Sequence, residues 1–174
     1  MTLLVEAPAV YEAERRYILE VVLGDWLGLE WELRTAQRED VRIAMAQEPD
    51  GPSVLVPDVL FATPPQDWLT AASMPAVRTS GGLPILYGAK QPGLEVDVFG
   101  SAFFMLTRYE EAVVGERDRY GRFPASASVA HRAGFLGRPI VDAYVERLWD
   151  AMRRTWPGLR RRSRAFEVLM THDV

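Results

Sequence analysis

From Ala9 to Leu23 the apolar residues Val10, Tyr17, Ile18, Val21 and Val22 return at helical spacing, with Pro8 suited to a first turn and Gly24 to a stop. This pattern predicts an amphipathic helix packed on a sheet. Period two then takes over. Leu29, Trp31 and Leu33 alternate with Glu30, Glu32 and Arg34, and Val41, Ile43 and Met45 with Arg42 and Ala44, so both stretches are expected as half-buried strands. Beyond the turn Asp50-Gly51-Pro52, the run Ser53 to Val56 carries no charged face and is expected as a third strand, more central than the first two. Pro57, Pro64, Pro65 and Pro75 break up the stretch to Gly82, which predicts irregular structure with one helical turn near Trp68-Leu69. Leu83 to Tyr87 is expected as a strand and Lys90 to Gly93 as a turn. Asp97 has the chemistry of an N-cap, and behind it Phe99, Ala102, Phe103, Leu106, Glu110 and Val113 share one helical face. No period emerges between Gly115 and Arg138, which is expected as a long loop. From Pro139, Ile140, Val141, Tyr144, Val145, Leu148, Trp149 and Met152 mark a helix that Trp156-Pro157-Gly158 ends, and Phe166, Val168 and Met170 predict a final strand.

This order of elements predicts an α/β or α+β fold with helices flanking one mixed sheet. Residues 1–158 form one domain in this reading, and 159–174 are a linker plus an appended C-terminal strand that belongs to a following domain. A chain of 174 residues, 48% hydrophobic and 25% charged, is long enough for a packed core. With no cysteine, disulfides, thiolate metal sites and cysteine nucleophiles are excluded. The two histidines, His131 and His172, stand too far apart for a local His-x-x-x-His pair, so no complete metal site is expected within this chain. Net charge is −4, which supplies no global basic field for nucleic acid. Charge interrupts every apolar run well before the roughly 20 residues of a membrane span. The segment Met1 to Val5 lacks the basic and apolar regions of a secretory signal, so a cytoplasmic location is expected.

Four groups of residues carry possible chemistry. Asp58 with Lys90 is reminiscent of a magnesium nuclease, but the acid needed two residues before the lysine is Gly88. In Arg108-Tyr109-Glu110-Glu111, Glu110 lies on the apolar face and calls for a partner, Arg108 or an arginine of the next loop; an ion pair pinning that loop is favoured over a catalytic carboxylate. Arg117, Asp118 and Arg122 alternate with aromatics up to Pro124, which suits either a grip on phosphate or sugar or a loop tied to its own domain. His131 is expected as a hydrogen-bonded structural histidine. Last, the strand 166–170 delivers Thr171-His172-Asp173 at its C-terminal edge, where sheets of parallel strands place reacting groups.

The ordered pieces Phe103-Phe104-Met105-Leu106-Thr107-Arg108-Tyr109-Glu110-Glu111, Arg117-Asp118 with Gly121-Arg122-Phe123-Pro124, and Gly134-Phe135-Leu136 with Arg138-Pro139-Ile140-Val141-Asp142 are similar to the domain that precedes the catalytic domain in certain bacterial polysaccharide deacetylases. Residues 171–174 resemble the first four letters of Thr-His-Asp-Val-Asp, the opening motif of the NodB-homology, carbohydrate esterase family 4 domain. The likeness covers most of the chain and is strongest from Asp97 onward. It implies metal-dependent removal of acetyl from an N-acetylated sugar, in which a divalent metal, usually zinc, polarises the amide and an aspartate activates water. By position Asp173 corresponds to that base. The metal-binding aspartate due next, and the later histidine pair, are not in these residues. The resemblance therefore implies an accessory domain that is inactive alone and packs on a downstream deacetylase domain, with a polysaccharide as ligand of the whole. The alternative is a stand-alone module that holds an anionic glycan or nucleic acid with the Arg117 to Arg122 loop and the Arg160 to Arg164 run.

Overall fold

A computed structural model describes residues 1–90, 93–163 and 165–171. The architecture is mixed α/β: a four-stranded mixed sheet, a separate two-stranded sheet and five α-helices among the described residues. Strand β1 (Thr2–Ala7) is an inner strand of the larger sheet, whose order is β2-β1-β3-β4. β2 (Glu30–Thr35) runs parallel to β1, β3 (Asp40–Met45) antiparallel to it, and β4 (Val54–Pro57) antiparallel to β3. The register sets Leu3 between Trp31 and Met45 and Val5 between Leu33 and Ile43, which gathers the apolar side chains on one face.

β1 is absent from the elements expected above, because its apolar run is short and contains Glu6. The flanking strands resolve that conflict: Arg34 of β2 and Arg42 of β3 both bond the Glu6 carboxylate, the latter at 2.8 Å. Hydrogen bonds from Arg34 first and Arg42 second hold its pKa below the usual carboxylate range. With β1 in the middle, the Ser53 to Val56 strand is not central but terminal. Its lack of charge has another cause: the Leu94 N–H donates to Leu55 O at 3.2 Å, so its outer edge is covered. Gly93, at φ +99°, permits this approach, since a Cβ there would lie 2.7 Å from Leu55 O.

The first helix starts later than Pro8 suggested. Tyr11 takes a left-handed conformation (φ 55°), α1 spans Glu12–Leu19, and the helix then widens into a π turn over Glu20–Trp26. Gly24 lies inside this turn and does not stop the helix. β1, α1 and β2 form a parallel crossover unit.

In the second half, β5 (Arg78–Ser80) and β6 (Leu83–Ile85) pair as a small antiparallel hairpin, so the strand expected at Leu83 to Tyr87 does not join the main sheet and the single sheet becomes two. Two residues of the expected Lys90 to Gly93 turn, Gln91 and Pro92, lie outside the described residues. Asp97 caps α2 (Val98–Leu106), as expected. The helix predicted to reach Val113 without interruption instead breaks at Arg108 (φ 55°) and restarts as α3 (Tyr109–Val113). The break leaves Leu106 exposed while Tyr109 and Glu110 turn inward. The long loop contains α4 (Val129–Arg132), and α5 (Ile140–Thr155) presents Tyr144, Leu148 and Met152, each 0% exposed, to the core. The Tyr144 hydroxyl donates to Pro84 O at 2.6 Å and ties α5 to the hairpin.

The strand expected at Phe166 to Met170 is not formed. These residues have no regular secondary structure and no sheet partner, and Phe166 is 94% exposed. A strand needs a neighbour to satisfy its backbone, and no sheet edge meets this segment among the described residues.

Candidate functional site

Three of the predicted site residues come together at the α2–α3 break. Arg108, exposed in its left-handed turn, bonds Glu111 one turn on. Glu110 is buried and accepts the Val129 N–H through Oε2 at 2.7 Å. The expected arginine partner is therefore replaced by a backbone donor: Arg108 is engaged by Glu111, and the first N–H of α4 fills the role. Pinning of the loop is retained by other means. Burial pushes the Glu110 pKa up, partly offset by the Val129 bond and by Arg132. Around it lies an open groove of about 290 Å³, lined among others by Phe104, Met105, Phe123, Ser128 and Leu136.

Glu110→Ala is expected to lower the melting temperature by a few to about 10 °C. It leaves the Val129 N–H without its acceptor, which costs about 1–3 kcal/mol, and each kcal/mol shifts a chain of this size by about 2–4 °C. A thermal melt that does not move would mean that α4 does not depend on this carboxylate.

The Arg117 to Arg122 loop is folded on itself. Asp118 accepts the N–H of Tyr120 (2.8 Å) and of Arg122 (3.0 Å) and pairs with the Arg122 guanidinium at 2.9 Å. The Arg122 N–H, then the Tyr120 N–H and the Arg122 side chain, draw its pKa down. Arg117 donates to the carbonyls of Val114, Glu116 and Glu111, while Arg119 and Arg122 both lie within 5 Å of the Tyr120 ring centre, at 4.6 and 4.8 Å. His131 is at the surface. Its backbone N–H donates to Ser128 Oγ at 3.1 Å, which makes it a first-turn residue of α4.

A buried ion pair joins residues that no sequence spacing connects. Arg15 of α1 forks onto Asp58, Nη1 to Oδ1 at 2.8 Å and Nη2 to Oδ2 at 2.6 Å, with both side chains almost wholly buried. Near them Asp97 is 1% exposed and accepts three backbone N–H groups, from Val59 (2.9 Å), Leu60 (3.0 Å) and Gly100 (2.7 Å). Burial first and the Asp58 charge second push Asp97 up to about 7. A Cβ on Gly100 would come within 2.2 Å of Asp97 Oδ2, so the close packing of this turn depends on glycine. Asp58 is thus committed to Arg15, far from the nuclease role, and Lys90 is exposed. The signal in the sequence was slight: one arginine at the start of a helix, followed much later by Pro-Asp.

His172, Asp173 and Arg164 lie outside the described residues, and with them the start of the Thr-His-Asp motif beyond Thr171. Among the described residues no three His, Asp or Glu side chains converge to hold a metal ion, and no helix is long and apolar enough to cross a membrane.

Residues 3–157, nearly all of the helices and both sheets, match a family of unknown function, DUF7033. The chain belongs to DUF7033. No curated protein and no solved structure matches it. Within this DUF7033 chain the match takes in the groove, the self-tied loop and the Arg15–Asp58 pair, and it stops before the arginine run.

Proposed function

We propose that this chain is the accessory domain of a metal-dependent polysaccharide deacetylase, inactive alone and placed ahead of the catalytic domain. One observation carries the reading: the segment Phe166 to Met170, apolar except for Glu167, unpaired and open to solvent, leads directly into Thr171-His172-Asp173-Val174. Four large apolar side chains left in water call for a partner sheet. The four letters that follow are those with which a deacetylase domain of the NodB type opens its first strand. In the whole protein the divalent metal would polarise the acetamide carbonyl. The residues present do not make up its site, and no step of the reaction is assigned to them.

The competing module for an anionic polymer is disfavoured by the state of its arginines. Arg117 and Arg122 are turned onto their own loop, and Arg160, Arg161 and Arg162 onto neighbouring carbonyls and Glu146.

Reading the gene past Val174 is the first test. An aspartate immediately after Val174 and a later His-x-x-x-His are expected; a stop codon, or their absence, removes the deacetylase context. The second test is enzymatic. The chain extended through its downstream coding sequence should release acetate from an N-acetylated glycan and lose that activity to a chelator, while residues 1–174 release none.

A further inference from the structure

We infer that the Arg160–Arg162 stretch is a clamp fixing where the chain leaves this domain, and that the cleft beneath it is the seat of the domain that follows. This rests on the function proposed above. In the alternative reading the stretch holds an anionic polymer, but each guanidinium is engaged within the chain. Arg160 donates to Pro157 O and Leu159 O, both at 3.0 Å. Arg161 pairs with Glu146 of α5 at 2.6 Å and lies 5.2 Å over the Trp149 ring. Arg162 is held twice, its N–H by Leu27 O at 2.7 Å and its Nη1 by Asp25 O at 2.9 Å. Gly28, at φ +66°, packs against this residue so closely that a Cβ would stand 2.8 Å from Arg162 Cβ. Leu159 is buried just before the three arginines.

The clamp bridges the π turn and α5 and roofs a cleft of about 340 Å³ lined by Trp26, Leu27, Asp142, Glu146, Arg161 and Ser163. Phe166 is four residues beyond Arg162, a reach of at most ~14 Å. On the function proposed above, the following domain therefore begins within that distance of the clamp and its cleft. A tether so short gives an effective concentration in the millimolar range, enough to populate a weak contact. The lining, with Asp142 and Glu146 against Arg161 and Arg162, has the mixed polarity of interfaces between domains of one chain.

Hydrogen exchange tests this, comparing residues 1–174 with the same chain extended through its downstream coding sequence. In the longer protein at least tenfold slower exchange is expected in Trp26 to Gly28 and Val141 to Glu146, as well as in Phe166 to Met170. Slowing confined to Phe166 to Met170 would leave the following domain in place but seated elsewhere, which overturns the inference and spares the proposed function. No slowing in either region sinks both. Arg161→Ala, whose ion pair is largely solvent-exposed and dispensable for folding, should restore fast exchange at the cleft of the longer protein while Phe166 to Met170 stay protected. Unchanged protection would show that the arginines do not set the exit. Heparin binding by residues 1–174 that Arg161→Ala abolishes would return the stretch to an anionic polymer and overturn the clamp.

Discussion

Replacing Arg15 by alanine is expected to lower the melting temperature by about 6 to 20 °C. Removing one partner of a buried ion pair costs about 3–5 kcal/mol, and each kcal/mol moves a chain of this size by about 2–4 °C. The local chemistry favours the upper part of that range. Asp58 would lose both bonds of the fork and keep a buried charge whose repulsion of the nearby Asp97 is no longer offset at Asp58 by a bonded cation. Arg15 also donates Nε to Val10 O at 2.8 Å and covers the Phe61 ring at 4.8 Å, so the same change loosens the entry to α1. The paired change Arg15→Met with Asp58→Leu removes both charges and keeps most of the volume, and it is expected to cost much less than the sum of the single changes. Thermal melts of the two singles and the double decide this. Additive losses would mean that the two side chains act independently despite their contact.

The second large effect is a dependence on pH that belongs to Asp97. Folding raises its pKa from 3.8 to about 7, so between these values the folded chain holds a proton that the unfolded chain has released. The sign follows. The group favours the folded state fully below about pH 4, and that contribution is lost as pH rises through about 7. At ~1.4 kcal/mol per pKa unit the difference is roughly 4 kcal/mol, a net figure in which burial outweighs the three backbone N–H groups that bind the charged form. Glu6 and Glu95, whose pKa values are lowered, slope the other way and only in more acidic solution. Plotted against pH from 4 to 8, the melting temperature of the native chain minus that of Asp97→Asn should fall by several degrees. Comparing slopes matters, since asparagine also disturbs the three N–H bonds and lowers the whole curve. Parallel curves would show that Asp97 stays ionised in the fold.

Period located β2, β3 and α5, and an uncharged apolar run located β4. β2, β3 and β4 fell within one or two residues of their expected places, and the stripe of α5 was legible from Ile140 to Met152. What escaped had its cause in contacts distant along the chain. β1 reads as a strand only once Arg34 and Arg42 are known to flank Glu6. The break at Arg108 leaves no trace in the apolar pattern, because Tyr109 and Glu110 continue to bury side chains on the far side of it. At the candidate site the capping role of Asp97 was legible three residues from its bond to Gly100, whereas its hold on Val59 and Leu60 was not. Arg15 and Asp58 are 43 residues apart, and only the fold pairs them.

The central place of β1 bears on the order in which the protein is made. All four strands of the main sheet lie between Thr2 and Pro57, while α2 and α5, which supply Phe99, Tyr144 and Leu148 to the core, end at Leu106 and Thr155. At about 5–20 residues per second, the ribosome needs roughly 5–20 s to go from the end of β4 to the end of α5. Until α2 is complete at Leu106, about half of that interval, a nascent sheet has one apolar face attended by α1 alone. A chaperone that binds apolar strands has its opportunity then, and variants that weaken α1 should depend on it most during synthesis.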